Sequence, residues 1–551
     1  MQAENHAHQV SVLTQYPRAI VHLRQQFKED RFGAVLGAGT SIDLKVPSWK
    51  ELVEKLAADS EVEGADLLSG KANRASLPYK TEMLLQRFSE RQKAKIDSRL
   101  SHRERENTIS SRWLALCGKY LYSSRPSDPS SLEAAIKRHP YFGALVEVVQ
   151  ESHLTINFNF DDYLETALGQ KKRQQDKQNK GYECITNPWS QIKRRNSVVY
   201  HPHGVVPFGL MELPHDRFVF SEESYAKQYI RLGDVDTTFL LAHFARNTCL
   251  LIGCSLEDAL RTALIRSAHV NPGNYHYYVQ HLQEGDSVAD PEREAIADTN
   301  FRVYNLITLF LNSLQIRALL ELVNYKAIAD GEFTDLATRC KVRIHYNYYM
   351  TGALGVGKST TALLLRSLYV LDEWLEARPV ILGKPPDQLT DAEREEADGW
   401  ILQQFEIKNN TLRQLSREAG VVAIVDRPPM DPLVFTPQKG KAGKAKALLD
   451  RLCPEQSWKV VEGAIILLLG DPRELSARVR ATGRENYSED RLKTMQDDLR
   501  AVYVGDGVIP IETYGLSSAE VTRRVAEWIH RKPYVPFDLH RALLTQSEAP
   551  A

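Results

Sequence analysis

The residues whose spacing carries most chemistry lie at 352–360, GALGVGKST. This run fits G-x-x-x-x-G-K-[ST] in full. Gly352, Gly355 and Gly357 let backbone amides close around a di- or triphosphate, Lys358 reaches the outer phosphates, and Ser359, followed by Thr360, offers a hydroxyl to Mg²⁺. Four shorter runs sit earlier: GAGTS at 37–41, FNFDDYLETAL at 158–168, YHPHG at 200–204 and IGCSLED at 252–258. A glycine turn can bring backbone close to a pyrophosphate, or serve packing alone. Asn159 and Asp161 can face a ligand at a strand end, while Asp161 or Asp162 can equally cap a helix. The pair His201 and His203 suits a general base; as metal ligands they lack partners at useful spacing, and no zinc site is expected. Further on, DRPPMDP at 426–432 and GDPRELSARVRATGRE at 470–485 place Asp426, Arg427, Arg478, Arg480 and Arg484 after apolar runs. Those arginines can also form a solvated helix face paired with Glu474 and Glu485.

These residues need strands to present them. FGAVLG at 32–37, LTINF at 154–158, SVVYH at 197–201, TCLLIG at 248–253 and YHYYV at 275–279 have strand character, with helical stretches between them. That alternation predicts a parallel α/β sheet. PSWKELVEKLA at 47–57 reads as a helix, residues 58–150 as a charged helical insertion, SSRPSDPSS at 123–131 as a loop, and residues 303–324 as one amphipathic helix. A second α/β unit begins near residue 340, with strands VRIHYNYYM at 342–350, VVAIVD at 421–426 and AIILLLGDP at 464–472. TTALLLRSLYV after the glycine loop and VTRRVAEWIH near the end read as helices. TPQKGKAGKAK at 436–446 reads as a mobile basic loop, and the tail after Ala542 as disordered.

Composition bounds the rest. The 551 residues suit three average domains or two larger ones, and 43% hydrophobic with 26% charged residues is ordinary for globular chains. A net charge of −1 supplies no global attraction for DNA or RNA, so no nucleic-acid partner is expected. The apolar tracts are too short for a membrane span, and the first residues lack the pattern of a secretory signal. The six cysteines form no C-x-x-C pair, which fits a reducing, cytoplasmic setting.

Taken together and in order, the first four runs resemble the sirtuin-like family, in particular the divergent bacterial branch found in NAD-depleting phage-defence proteins. The resemblance spans about residues 20–310. It rests on GAGTS with Pro47 and Trp49, on Asn159-Phe160-Asp161, on His203-Gly204, on Gly253, Ser255 and Asp258, and on SEESYAKQY at 221–229. Phe158 replaces the threonine usual before the catalytic Asn, and the paired zinc cysteines of protein deacylases are missing, which favours NAD consumption over deacylation. The resemblance implies a Rossmann-like sirtuin fold with a helical insertion over 1–335. It also implies NAD as substrate, with Asn159 orienting water and ribose and His203 as general base; an imidazole near pKa 6.5 suits that work. Asp161 would fix the nicotinamide-ribose pocket, Ala38, Gly39, Thr40 and Ser41 would line the diphosphate, and Gly253 and Ser255 would lie near the adenosine ribose. The chemistry parallels glycoside hydrolysis through an oxocarbenium-like state.

Residues 342–535 resemble the P-loop nucleoside and nucleotide kinases, implying a parallel α/β domain over 336–551 that holds ATP or another nucleotide with Mg²⁺. In that resemblance Asp426 helps hold Mg²⁺ or activates an acceptor, Arg427 binds an acceptor phosphate, and Arg478, Arg480 and Arg484 close over the transferring groups. Two readings follow: a NAD hydrolase acting in antiviral defence under nucleotide control, or a kinase with a regulatory NAD-binding domain. The resemblance also implies a homo-oligomer.

Overall fold

The computed structural model describes residues 2–69, 74–174, 181–188, 190, 197–209, 218–226, 236–256, 258–283, 286, 289–384, 389–418, 420–434, 436, 438–481, 483 and 487–548. The chain divides into two compact units. The first comprises Met1–Gln9, Gln26–Ser267 and His276–Asn324, the second Val10–Gln25, Ala268–Tyr275 and Tyr325–Ala551. Both are mixed α/β with all-parallel sheets.

In the first unit the apolar runs become β1 Phe32–Leu36, β2 Leu154–Asn157, β3 Tyr182–Ile185, β4 Ser197–Tyr200, β5 Thr248–Ile252, β6 His276–His281 and β7 Leu306–Leu311. They order as β3-β4-β2-β1-β5-β6-β7. β1 and β5 are buried along their whole length, which is why FGAVL and TCLLI carry no polar face. After β1 the chain builds outward on one side through β2, then crosses to the other side at β5. The carboxyl ends of β1, β2 and β5 therefore flank the switch point where such sheets bind ligands.

Between β1 and β2 lie the helices Trp49–Ala58, Leu77–Lys93, His102–Leu121, Pro129–Arg138 and Phe142–Glu151. Trp49–Ala58 starts on a capping box, in which the Ser48 hydroxyl accepts from the Glu51 amide and the Glu51 carboxylate accepts from the Ser48 amide.

Residues 303–324 depart from the single helix expected there. The helix Asp290–Tyr304 ends at Asn305, whose φ of 53° breaks the helical path. LITLFL then pairs with β6 as an edge strand, and Asn312 caps a new helix, Ser313–Val323. A left-handed Asn and an Asn-x-x-Gln capping box punctuate what apolar periodicity reads as continuous.

In the second unit, β8 His345–Gly352, β9 Tyr369–Leu371, β10 Val421–Asp426, β11 Ala464–Leu469 and β12 Val508–Glu512 order as β12-β11-β8-β10-β9. β8 is central, flanked by β10 and β11, and its carboxyl end runs into the glycine loop and the helix Lys358–Leu364. The apolar run after that loop is therefore a short helix followed by β9, not one helix. Residues 436–446 are not a loop either. From Gln438 on they belong to the helix Gln438–Leu452, whose basic face is neutralised by Lys441–Asp498 and Lys444–Asp398 ion pairs at 2.6 and 2.8 Å; Pro437 lies outside the described residues. The tail forms the helix Leu539–Glu548 with Leu539 and Leu543 buried. These last two helices pack on each other, and that mutual burial orders two segments that look solvated in isolation.

Candidate functional site

In the first unit, four loops leave the carboxyl ends of β1, β2, β4 and β5. The glycines join two of them by close backbone packing. A methyl group on Gly37 would fall 2.4 Å from the Gly253 carbonyl oxygen, and one on Gly39 2.7 Å from the Gly253 Cα. Gly253 itself has φ +68°, and its added methyl would lie 2.5 Å from the Thr40 amide nitrogen. The amides of Gly39, Thr40 and Ser41 donate to the carbonyls of Gly253, Gly37 and Ala38. The turn is thus held by its own amides; Ala38 is exposed at its tip, Gly39 is half-buried, and Thr40 and Ser41 are buried. Ser255 is exposed beyond β5.

Asn159 lies at the floor of this arrangement. Its Nδ2 donates to the Thr40 hydroxyl at 2.9 Å and the Ser41 hydroxyl at 3.2 Å. Its Oδ1 is buried with no hydrogen-bond partner. The polar side chains expected along a diphosphate therefore orient the amide of Asn159 instead. Asp161 is buried beside them. Burial pushes its carboxyl up to about 6, against a hydrogen bond with Ser41 and one from the Tyr163 amide.

His203 follows β4, the strand next to β2. Its ring packs edge-on against Phe158 at 5.1 Å and Tyr225 at 5.4 Å, with Phe160 at 6.4 Å. Trp49 stacks on Tyr225 and Phe220 behind it. His203 Nε2 is buried without a partner. Desolvation holds this imidazole down at about 4, so it is neutral near pH 7 with a lone pair or N–H to offer. Phe158, which replaces a threonine in the resemblance, is one wall of that aromatic box.

His201 is engaged differently: its Nδ1 lies 3.1 Å from the Asn159 carbonyl oxygen and its Nε2 2.8 Å from Glu165 Oε1. Burial opposes its charge, but the Glu165 carboxylate beside it holds the imidazolium, raising its pKa to about 10.

A clamp that sequence reasoning missed fixes these loops. The buried Arg125 guanidinium pairs with Asp162 and stacks on Tyr122, Tyr163 and Phe208 at 5.1, 4.8 and 4.4 Å. Asp162 Oδ2 accepts from the Phe208 amide, and the Tyr122 hydroxyl donates to the Val206 carbonyl. The helical insertion thereby ties the Asn159 loop to the His203 loop. No local pattern announces this, since Arg125 lies in the serine-rich stretch that reads as a loop.

In the second unit, Gly352, Gly355 and Gly357 all take positive φ, and Lys358 Nζ folds back to the Gly352 carbonyl at 3.0 Å. Burial, then the nearby Arg427 charge, lowers the Lys358 ammonium to about 8. Ser359 and Thr360 are exposed at the helix start. Asp426 ends β10 and is buried, with Oδ1 unpartnered and its carboxyl raised by burial against the pull of Lys358. Arg427, at φ 68°, is tied to Glu373 at 2.6 Å and Asp431 at 3.0 Å, so its guanidinium already neutralises two carboxylates. Lys408, inside the long helix Asp391–Glu418, donates to the Asp426 carbonyl at 2.7 Å. Neither Glu373 nor Lys408 carries a motif. The helix Pro472–Ala481 packs on the glycine loop, with Val479 2.8 Å from a methyl group placed on Gly355. On that helix Arg478 pairs with Glu474, and Arg480 donates to the Ser476 hydroxyl. Arg484 lies outside the described residues.

Comparison with known proteins bears on the first unit. A SIR2-like domain model matches residues 153–304, which include Asn159, Asp161, His203, Gly253 and Ser255. No curated protein matches this chain. The SIR2-like match and the parallel sheet agree on a Rossmann-like unit with NAD-related activity at the family level. Among the described residues, no helix is long and apolar enough to cross a membrane.

Proposed function

We propose that the chain is a NAD⁺ glycohydrolase: NAD⁺ and water become nicotinamide, ADP-ribose and a proton. The observation that carries this reading is the pair of buried, unpartnered polar atoms, Asn159 Oδ1 and His203 Nε2, at the ends of adjacent strands in the SIR2-like unit. Buried polar groups are ordinarily paired, and a ligand hydroxyl or a water would pair these two. In the reaction Asn159, held by Thr40 and Ser41, orients the ribose and the water. The neutral His203 accepts a proton from a ribose hydroxyl or from the water as the nicotinamide leaves. Asp161 borders the ribose, and the turn around Ala38 and Gly39 with Gly253 and Ser255 takes the rest of the dinucleotide.

The second unit is proposed as a P-loop nucleotide-binding domain that controls this activity, with Mg²⁺ held by Ser359 and the nucleotide. Its glycine loop at the switch point of a parallel sheet, with Lys358 and a buried unpartnered Asp426 nearby, supports that. An uncontrolled NAD hydrolase would starve its own cell, so control is a requirement of the reading, and antiviral defence by NAD depletion is its proposed setting. The test incubates the purified full chain with NAD⁺ and Mg²⁺, alone and with a panel of ribo- and deoxynucleotides, and follows nicotinamide by mass spectrometry. Release that depends on a nucleotide and vanishes in Asn159→Ala supports it. Absence of release under every condition overturns it.

The second reading makes the C-terminal unit a nucleoside or nucleotide kinase with the first unit regulatory. The partly exposed Glu373 carboxylate, held by Arg427 near the buried, unpartnered Asp426 Oδ1, favours it as an acceptor contact. Phosphate transfer from ATP to a nucleoside or its monophosphate, lost in Lys358→Ala, would establish it.

A further inference from the structure

Among the described residues, three side chains from three elements converge beneath the Asn159 loop: Glu165 on the helix Tyr163–Gln174, Cys184 on β3 and His201 after β4. One donor atom from each lies within 4.8 Å of the others. Sequence spacing could not show this set, because the three positions belong to separate strands and a helix. We propose that Glu165, Cys184 and His201 bind a thiophilic divalent cation of the zinc type.

Four observations support the site. The donor set is sulfur, imidazole nitrogen and carboxylate oxygen, the combination that favours zinc over magnesium or calcium. His201 presents Nε2 to the cluster while Nδ1 donates to the Asn159 carbonyl, the arrangement that fixes a metal-bound imidazole through its other nitrogen. Glu165 is 9% exposed, and its second oxygen, Oε2, is buried with no partner, so a donor stands idle inside the cluster. Cys184 is a free, exposed thiol and supplies the route by which an ion arrives. Ligands on a tetrahedral zinc stand about 3.3–3.8 Å apart, given bonds of about 2.0–2.3 Å. The present separations reach that by side-chain shifts of about an ångström, with His201 Nε2 moving off Glu165 Oε1. Both ring nitrogens of His201 face acceptors, so the ring carries two N–H groups. Capture of the cation therefore releases the Nε2 proton and the Cys184 thiol proton to water, and no electron moves. A water completes the fourth position.

The proposal is independent of NAD cleavage, and its test does not use that activity. The full-length protein, kept reduced with a phosphine, is titrated with Co²⁺ alone. One equivalent should bind with a sulfur-to-cobalt charge-transfer band in the near ultraviolet, and added Zn²⁺ should bleach it. Cys184→Ser should abolish the band, while Cys340→Ser and Cys453→Ser, at the other partly exposed thiols, should keep it. Glu165→Gln should keep the band but weaken binding by at least about tenfold, the lower range for loss of even an outer partner. The site is overturned if the wild-type chain, folded by circular dichroism, gives no band. It is also overturned if the band survives Cys184→Ser, or if Glu165→Gln leaves the affinity unchanged.

Discussion

At the scale of single residues, the candidate site separates two imidazoles that the sequence presents as a pair. His201 spends both nitrogens on the protein, whereas His203 keeps Nε2 unpaired within an aromatic box. General-base work therefore falls to His203. Replacing it with Ala should lower nicotinamide release at saturating NAD⁺ by about 10²–10⁴-fold, the usual contribution of such a group. Dinucleotide binding, followed by calorimetry on the same variant, should persist, because the Asn159 anchors on Thr40 and Ser41 remain. The type of residue at 159 and 203 was legible from motif alone. That Thr40 and Ser41 serve Asn159 was not, since they lie 119 and 118 positions away in the chain.

At the scale of elements, the loops are set by backbone contact and by one buried ion pair. Gly253→Ala would place a methyl group 2.5 Å from the Thr40 nitrogen at a φ that L residues disfavour, and should cost about 1–3 kcal/mol. Thermal unfolding would show this as a lower midpoint. Gly399→Ala is the internal contrast: it sits within the helix Asp391–Glu418 with open space around it, and should gain about 0.5–1 kcal/mol. Arg125→Ala would leave Asp162 without its cation in a mostly buried setting. Such a break costs about 3–5 kcal/mol, read in denaturant unfolding, and should also weaken NAD⁺ binding by releasing the two loops. Strand and helix identity here followed largely from apolar runs and glycine punctuation. Where the reading failed, as at Leu306–Leu311 and Gln438–Leu452, the deciding contacts were a distant strand and a distant helix.

At the scale of the whole molecule, pH and ligand linkage give two further expectations. Burial holds His22, His139, His203 and His243 near pKa 4. The unfolded chain takes up these protons below about 6.5 while the folded chain refuses them until about 4. Stability should therefore fall as pH drops through that window, by up to about 1.4 kcal/mol per pH unit for each histidine. Asp161, raised to about 6, acts in the opposite sense between about 6 and 3.8, and His201, raised to about 10, loses its contribution as pH rises from 6.5 through 10. His345 and His530 are lowered by burial as well, and Asp426 is a second carboxyl raised by it, so the histidines outnumber the opposing carboxyls and the melting temperature should decline from pH 6.5 downward. In the second unit, a nucleotide with Mg²⁺ at about one hundred times its dissociation constant should add about 2.7 kcal/mol of stability. Lys358→Ala should remove that gain in calorimetry, whichever nucleotide proves to be the ligand.

The sequence by itself determined where chemistry could occur: apolar runs buried as parallel strands, each released at its carboxyl end into a loop of glycine, amide, imidazole or lysine. Hydrophobic period and glycine placement are local properties, so they can be read along the chain. Only the tertiary structure decided which of those groups are already spent and which stand open. It turned Thr40 and Ser41 toward Asn159, set His201 between Asn159 and Glu165, drew Cys184 to the same point, and tied Arg427 to two carboxylates. Each of these depends on strands laid side by side whose residues are remote in sequence, and a pairwise contact of that kind leaves no trace in local periodicity.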